Sequence, residues 1–352
     1  MSTVVGRIAL LAAASALSTL PARAVAQGRP APLVQQGDEI LVLGTKGGPD
    51  LNRDHSEPAT LLVVDGRPYL IDCGIGTMRR LLEAGVRSPT IRRIFLTHDH
   101  PDHTLGLVAV LANDFNRTDP TGGPRATGTF DIYGPPQTTA LVAAAWNFIR
   151  IPYDIFAAEH IGSGTLTNPF RVHIIDHDGL VYQDDRIRVT AVENTHYRLM
   201  PAKDTARMKS FSYRFQTPYG VIVFTGDTGP SAAVERLASG ADVLVSEVED
   251  LDRIRRAVTS GQGAGGVESP STRALLEHLR LEHLTMKAVG ELASRAHVKA
   301  VLLHHYVPPE DTATYVSGVK RFYAGPVFAG LDLAGYCLGP AGADGRGLRS
   351  CQ

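Results

Sequence analysis

Neither sign of charge dominates this sequence. Its 35 lysines and arginines nearly balance 36 aspartates and glutamates, and the formal net charge is −1. A chain this close to neutrality creates no overall field that would attract nucleic acid or an anionic membrane. Any preference for anions must therefore be local. The chain also lacks an internal repeat of fixed period.

After residue 26 the sequence has no apolar run long enough to span a membrane. Before it, Arg7 precedes the apolar or small residues IALLAAASALSTL, and two small-x-small triplets follow at 22–24 and 24–26. This layout is typical of a cleavable secretory signal peptide. We therefore expect residues 1–26 to be a signal peptide and the protein to be periplasmic or secreted.

Cysteines are few, with three in the chain. Cys337 and Cys351 lie near the C-terminus and could form a disulfide in an exported protein. Two free thiols are the alternative, because the sequence does not give the distance between them. Cys73 is interpreted as a small buried packing residue rather than a metal ligand.

Hydrophobic patterning predicts a mixed α+β chain. Residues 39–43 (EILVL) are typical of a strand, and strands at 60–64 and 67–71 flank Asp65-Gly66, which is a strong hairpin signal. Later segments alternate strand and helix, from residue 220 onward. Early hairpins followed by strand–helix alternation predict two sheets with helices outside them, in one domain.

Potential metal-binding side chains are most concentrated in FLTHDHPDHTLG, residues 95–106, just after a predicted strand. Zinc binds neutral imidazole and carboxylate, and needs four or five such ligands. His98 and His100 are two residues apart in extended chain, so their side chains point the same way. Asp102 and His103 follow at a turn and the start of a helix, on the other side. One segment can thus serve two adjacent metals without completing either.

Further ligand types follow three later predicted strands. His196 comes after IRVTAVENT, Asp227 after VIVFTG, and His304-His305 after KAVLL. One histidine at a strand end is usually structural. The whole set, placed where strands end, predicts a dinuclear metal centre.

These residues resemble the metallo-β-lactamase superfamily, whose H-x-H-x-D-H motif is matched by HDHPDH. Other matching stretches favour its ribonuclease Z and zinc-dependent arylsulfatase branch: LGTKGGP (43–49), LIDCG (70–74), VFTGDTGP (223–230), SEVED (246–250) and HHYVPP (304–309). The resemblance covers the chain after the leader. It implies that residues 27–352 form a single hydrolase domain with the four-layer αββα sandwich of that family.

The resemblance also implies two Zn²⁺ ions, although iron and manganese accept the same ligands. One ion would be bound by His98, His100 and His196. The other would be bound by Asp102, His103 and His305, with Asp227 bridging the two. His305 is preferred over His304 because H-Y-V-P continues the family motif, and the role of His304 is open.

Three further residues are assigned supporting or catalytic roles. Asp72, in LIDCG, is expected to accept a hydrogen bond from a metal-binding histidine and fix its tautomer. In the ribonuclease Z branch, Glu247 and His283 resemble a pair that donates a proton to the leaving group. The alternative is that His283 only caps the helix that starts near Thr285.

The resulting hypothesis is an exported hydrolase of a small anionic ester, either a sulfate ester or a phosphodiester. Two Zn²⁺, two carboxylates and a bridging hydroxide leave about one positive charge, which suits such a substrate. The hydroxide would attack, while Asp102 steers its proton. Lys46, Arg198 and Lys203 are candidates for contacting the anion, or are solvated surface charges.

Partners and rival functions complete the expectations. With an export signal and without the long arm that grips transfer RNA in ribonuclease Z, we expect no nucleic acid partner and no membrane partner; a homodimer is left open. A lactone or β-lactam hydrolase is the enzymatic alternative, and a non-catalytic zinc- or ligand-binding protein is the alternative from another class. Aromatic residues Trp146, Phe148, Tyr153 and Phe156 either pack in the core or offer surface to an aryl leaving group.

Overall fold

A computed structural model describes residues 33–48, 50–86, 90–113, 129–159, 168–260, 269–309, 311–339 and 347–351. Residues 31–352 group into one compact unit. The predicted signal peptide, residues 1–26, lies outside the described residues and stays a prediction. Within the described ranges, every helix falls short of the length and apolar character needed to cross a bilayer.

The described strands form two sheets. The first sheet has the strand order β15-β14-β1-β2-β3-β4-β5-β6. Its strands are β1 (Asp38–Gly44), β2 (Ala59–Val64), β3 (Arg67–Ile71), β4 (Arg93–Phe95), β5 (Phe130–Gly134), β6 (Phe170–Ile174), β14 (Gly335–Leu338) and β15 (Arg349–Ser350). The second sheet has the order β13-β12-β11-β10-β9-β8-β7. Its strands are β7 (Gly179–Gln183), β8 (Arg188–Glu193), β9 (Phe211–Gln216), β10 (Val221–Phe224), β11 (Val243–Glu249), β12 (Val301–Val307) and β13 (Val327–Ala329).

Helices lie in the connections between these strands. They are α1 (Thr77–Glu83), α2 (Pro101–Thr104), α3 (Leu107–Asn113), α4 (Thr138–Ala158), α5 (Ala232–Ala238), α6 (Leu251–Thr259), α7 (Pro270–Glu282), α8 (Met286–Arg295) and α9 (Thr312–Lys320). The sequence patterns do not predict the helices α6, α7 and α9 or the strands β5, β7, β13, β14 and β15. Helix α4 continues through Pro152 to Ala158.

Three hydrophobic cores separate four layers. Strand β1 shows the principle, because successive side chains alternate between the two faces of a sheet. Ile40 and Val42 face the core between the sheets, where Phe211 and Tyr213 of β9 meet them. Leu41 and Leu43 instead pack in the outer core of the first sheet, which includes residues of α1, α3 and α4. Helices α5, α8 and α9 cover the second sheet in the same way. This arrangement confirms the predicted αββα sandwich.

Local sequence signals set the register of the hairpin β2–β3. Thr60 pairs with Ile71 and Val64 with Arg67, in antiparallel order. Asp65 and Gly66 both adopt positive φ, at 46° and 80°. That conformation is required of a two-residue type I′ turn, in which Asp-Gly is favoured. The predicted hairpin is therefore confirmed.

The C-terminal segment is held to the first sheet by a covalent bond. Cys337 and Cys351 form a disulfide, which settles the choice left open by the sequence. Cys337 lies on β14, which pairs with β1. The third cysteine, Cys73, is buried in the outer core of the first sheet, in agreement with its predicted packing role.

Candidate metal centre

The segment 96–104 presents its ligands on two sides, as expected. Burial of His98 is complete, and His100 occupies the N-cap position of α2 in an extended conformation. Pro101 follows as the first helical residue, where its fixed φ suits helix initiation. The chain therefore turns sharply between His100 and Asp102, so that Asp102 and His103 come from the first turn of the helix.

Distant residues complete two ligand clusters. The ligand atoms within each cluster all lie within 4.8 Å of one another. The first cluster consists of His98, His100 and His196, and the second of Asp102, His103, Asp227 and His305. Each was predicted from the sequence to contribute a metal ligand, and the structure brings all seven side chains together in these two groups.

Asp227 lies between the two clusters. Its Oδ2 is 3.9 Å from Nε2 of His98 in the first cluster and 3.1 Å from Nε2 of His305 in the second. Its Oδ1 is 3.3 Å from Nε2 of His103. The carboxylate of Asp227 is therefore within reach of both clusters, and its bridging role stays a prediction.

The chemistry of these side chains fits bound cations. Five buried polar atoms make no hydrogen bond to any residue that the structure describes: Nε2 of His98, Nε2 of His103, both ring nitrogens of His305 and Oδ1 of Asp227. Buried polar atoms normally have a partner, since leaving one unsatisfied costs about 1–3 kcal/mol. Burial also lowers the pKa of His98 and His196 well below the ordinary value, which keeps both imidazoles neutral and able to bind metal.

Asp72 supports both clusters. Nδ1 of His103 donates a hydrogen bond to Oδ2 of Asp72 at 2.9 Å, as predicted. The hydroxyl of Thr97 also donates to Asp72, at 2.9 Å, and accepts from Nδ1 of His98 at 3.0 Å. Asp72 thus fixes His103 directly and His98 through Thr97. Such partners orient a ligand ring and select its tautomer.

Backbone groups hold other ligands. Nδ1 of His196 donates to the carbonyl oxygen of Glu282 at 2.9 Å, and the amide of Gly48 donates to Oδ2 of Asp102 at 2.9 Å. These contacts were not predicted, because a backbone group has no residue type that marks it. The ammonium group of Lys46 donates to the carbonyl oxygens of Gly47 and Gly48, so it stabilises this loop from within.

Two residues of the centre adopt left-handed backbone conformations. Asp72 has a φ of 58° and His305 a φ of 48°. Such conformations are unfavourable for residues other than glycine and concentrate at functional sites. Gly47 lies so close to His305 that an added Cβ would stand 2.3 Å from Nδ1 of the ring. His305 lies within β12 rather than after its end, which corrects the expected position.

His283 and Glu247 form a buried pair beside the second cluster. Nδ1 of His283 lies 2.6 Å from Oε2 of Glu247 and 3.9 Å from Oδ2 of Asp227. Burial alone would lower the pKa of His283, but the adjacent carboxylate raises it to about 9. The amide of Thr228 donates to the other oxygen of Glu247 at 2.5 Å. The imidazole is therefore held charged, and its Nε2 is left for another acceptor.

His283 does not cap the helix that starts near Thr285, although its backbone amide caps the end of α7 by donating to the carbonyl oxygen of Leu279. Thr285 is the N-cap of α8, and its side chain accepts a hydrogen bond from the amide of Ala288 at 3.3 Å. His283 instead follows the last residue of α7. His304 is buried but belongs to neither ligand cluster.

Fold and metal centre together define a class of protein, the metal-dependent hydrolases with the metallo-β-lactamase fold. A family model described as a β-lactamase superfamily domain matches residues 67–306. This chain belongs to that family. Proteins of the fold, ribonuclease Z included, bind two Zn²⁺, and the chain carries both ligand clusters.

Individual relatives narrow the resemblance to ribonuclease Z. Ribonuclease Z of Mycolicibacterium paratuberculosis (strain ATCC BAA-968 / K-10) is 30% identical over 302 residues, which are 84% of this chain and 96% of that protein. Human tRNase Z, short form, has a TM-score of 0.56 at 19% identity and covers 84% of this chain and 98% of its own. The metallo-β-lactamase fold protein YhfI from Bacillus subtilis has a TM-score of 0.58 at 15% identity, covering 86% and 99%. The last two similarities show the fold alone.

The relatives correct the function expected from the sequence. Three expectations are wrong: that the protein is an exported hydrolase of a small anionic ester, that it is an arylsulfatase, and that it has no nucleic acid partner. The relatives, which are matched over nearly their whole length, are ribonucleases. They give no support to a signal peptide or to secretion either, and the cellular location stays a prediction. The error has a physical reason. Net charge sums acids and bases regardless of position, so neutrality does not exclude a local surface that binds phosphates.

Proposed function

We propose that this protein is a metal-dependent ribonuclease that hydrolyses a phosphodiester bond in RNA. The observation that carries this proposal is the His283–Glu247 pair, 3.9 Å from the carboxylate of Asp227 that joins the two ligand clusters. An ester with an alcohol leaving group needs a proton at the departing oxygen, and the charged His283 can supply it. The names of the relatives, ribonuclease Z and tRNase Z, make transfer RNA the first substrate to test.

The metal ligands have a positioning role in this reaction. His98, His100 and His196 would hold one zinc ion, while Asp102, His103 and His305 would hold the other, with Asp227 shared. When bound, the two ions supply positive charge for the phosphoryl oxygens and a source of hydroxide near neutral pH. The amide of Gly48 keeps Asp102 oriented towards its cluster.

His283 acts as the general acid. Attack of a water-derived oxygen on phosphorus forms one P–O bond and breaks the bond to the ribose oxygen. The proton on Nε2 of His283 transfers to that oxygen as it departs. Glu247 stabilises the imidazolium before the transfer and orients the ring through Nδ1. Positioned acids of this kind contribute roughly 100- to 10,000-fold to the rate.

The test is cleavage of a 3′-extended transfer RNA by the full chain, with zinc content measured in the same preparation. We expect about two zinc ions per chain and a single cleavage product with a new 3′ end. The variant His283→Ala should keep its zinc and lose cleavage. Intact RNA after incubation with wild-type protein that holds both ions would refute the proposal and favour a non-catalytic zinc protein.

A further inference from the structure

A cavity of about 420 Å³ opens beside the first ligand cluster. The metal ligand His100 forms part of its wall, so the cavity is continuous with the metal centre. Its volume lies in the range of sites that bind small organic groups, roughly 300–1,000 Å³. The mechanism described above uses no residue of this cavity other than His100.

One wall of the cavity is a single face of helix α4. Ala140, Leu141 and Ala144 of α4 line it together with Gln137, which directly precedes the helix, and their spacing of three and four residues places these positions on one side. The two alanines are small, so they leave an open slot between the helix and the opposite wall. Trp146, Phe148 and Tyr153, for which the sequence left open core packing or a pocket surface, are not among the described residues that line the cavity, and the side chain of Phe156 lies outside the described part of the chain. Trp146, for example, packs edge-on against Phe170 in the outer core.

The opposite wall comes from the segment that follows His196. It contributes Tyr197, Met200 and Met208. The ring of Tyr197 lies 5.3 Å from that of His100 and 5.1 Å from that of His196, between centroids. An aromatic ring that lines the cavity is thus held directly next to the metal ligands. Methionine adds a polarizable apolar surface that adapts to flat rings.

The chain near this cavity carries two exposed cations. Arg198 and Lys203 do not line the cavity, but they lie on the same segment as Tyr197 and can approach the phosphates of a longer bound strand. Two polar residues, Asp99 and Gln137, line the cavity as well and can recognise the edge of a base. A mostly apolar cavity of this size, with polar groups in its wall and the metal centre beside it, matches one nucleotide unit of RNA.

We infer that this cavity is a nucleobase subsite, which binds the base next to the scissile phosphate. The inference rests on the proposed function for the identity of its ligand. An extended single strand would place that base between the helix face of Ala140 and Ala144 and the ring of Tyr197. The adjacent phosphate would then reach the metal centre beside His100.

The subsite can be tested by binding alone, with two phosphate ligands of which only one carries a base. We would measure the affinity of zinc-loaded full chain for adenosine 5′-monophosphate and for ribose 5-phosphate by calorimetry. Stacking of a base contributes roughly 10- to 100-fold in affinity, so the nucleotide should bind that much more tightly. Equal affinity for the two compounds would overturn the inference.

A matched pair of substitutions on α4 locates the effect. Ala144→Trp fills the slot, whereas Ala143→Trp adds the same side chain at the neighbouring exposed position, which does not line the cavity. We expect Ala144→Trp to remove the preference for the nucleotide and Ala143→Trp to retain it. Equal loss in both variants would overturn the inference. Ala140→Phe fills the same slot and replaces Ala144→Trp if the latter does not fold.

An RNA with one abasic nucleotide separates this inference from the proposed function. If wild-type protein cleaves the parent RNA but cleaves the abasic RNA equally well, the ribonuclease proposal stands and the subsite is refuted. If the nucleotide preference and its loss in Ala144→Trp are observed but no RNA is cleaved, the subsite stands and the ribonuclease proposal fails.

Discussion

The two ends of the core between the sheets both contain a buried carboxylate, but in opposite electrical surroundings. Asp227 follows β10 at the metal end, whereas Asp38 begins β1 at the other end. Burial opposes ionisation of Asp227, yet His305 and His103 hold its pKa well below the ordinary range. Burial raises the pKa of Asp38 to about 7, and only one hydroxyl, that of Thr217, donates to it, at 2.6 Å.

The difference shows what makes a buried acid functional. Both carboxylates are inaccessible to solvent, so burial does not distinguish them. The distinguishing feature is the set of partners, which are imidazoles around Asp227 but Asp65 and Asp242 near Asp38. An acid surrounded by potential metal ligands is kept ionised, whereas an acid near other acids binds a proton instead. Substitutions at the two ends should therefore affect different properties of the protein.

Replacing the shared carboxylate should have the largest effect. Asp227→Ala removes a carboxylate that lies close to residues of both ligand clusters. We expect RNA cleavage to fall to background and zinc content to drop below two ions per chain. Cleavage rate and metal content, measured together, check this outcome. Asp176→Ala, at an exposed acid, is the control and should retain both. Full zinc occupancy with normal cleavage in Asp227→Ala would show that Asp227 does not bridge.

Replacing the proton donor, His283, should have the second-largest effect on RNA cleavage. His283→Ala is expected to reduce the rate of RNA cleavage roughly 100- to 10,000-fold, because it removes the general acid. Zinc content should not change in His283→Ala. This result would distinguish the proton donor from a metal ligand such as Asp227, whose replacement lowers zinc content. His278→Ala removes a neighbouring imidazole whose ring lies 5.2 Å from that of His283, and it should have a much smaller effect. Equal losses in both variants would argue against a specific donor.

The pH profile sharpens the same prediction. An acid must be protonated to act, so activity should fall as the pH rises through about 9, the pKa of His283 beside Glu247. Glu247→Gln removes the charge that raises this pKa, while burial of His283 remains and lowers it. The alkaline limb should therefore move to lower pH in Glu247→Gln. An unchanged limb would show that His283 is not the group that titrates.

The sequence identifies candidate residues where the side-chain type itself carries the chemistry, and the structure brings those candidates together. His98, His196 and Asp227 could be predicted because imidazoles and carboxylates at strand ends are what a metal requires. The carbonyl of Glu282 and the amide of Gly48 could not be predicted, since every residue has such groups. The cavity was missed for a related reason. Small residues such as Ala144 make space rather than bonds, and their effect depends on which wall faces them.

Some elements of the fold were missed although the sequence contained their signals. Helix α7 begins with Ser269 as N-cap and Pro270 as first helical residue, a recognisable start. Strand β7 is harder to identify, because each of its residues is at least partly exposed and its apolar pattern is weak. Conversely, the αββα sandwich followed from hairpins and strand–helix alternation together with the family resemblance. Tertiary packing decides the elements whose local signals are weak.

Replacing residues that hydrogen-bond to the metal-binding histidines should have an intermediate effect, on zinc affinity. Asp72→Asn replaces the charged acceptor of the hydrogen bond from His103 with a neutral amide. Thr97→Val removes the neutral hydroxyl that accepts the hydrogen bond from His98. Hydrogen bonds to a charged acceptor are roughly twice as strong as neutral ones, and loss of such supports lowers metal affinity about 10- to 100-fold. We therefore expect zinc affinity, measured by chelator competition, to fall more in Asp72→Asn. A larger loss in Thr97→Val would contradict this ranking.

The smallest effect should come from Asp38, at the end of the inter-sheet core away from the metal centre. Its replacement should change stability rather than activity. Asp38 binds a proton more tightly in the folded state, with a pKa of about 7, than in the unfolded state. The free energy of unfolding should therefore decrease as the pH rises from about 4 to above 7. Asp38→Asn removes the ionisation, so we expect it to be more stable than the wild type by roughly 1–3 kcal/mol at pH 8 and similar to it at pH 4. Denaturant unfolding at the two pH values, with exposed Asp54→Asn as control, measures this difference. Equal stability of Asp38→Asn and the wild type at pH 8 would mean that Asp38 is stabilised as a carboxylate, and the contrast between the two ends would disappear.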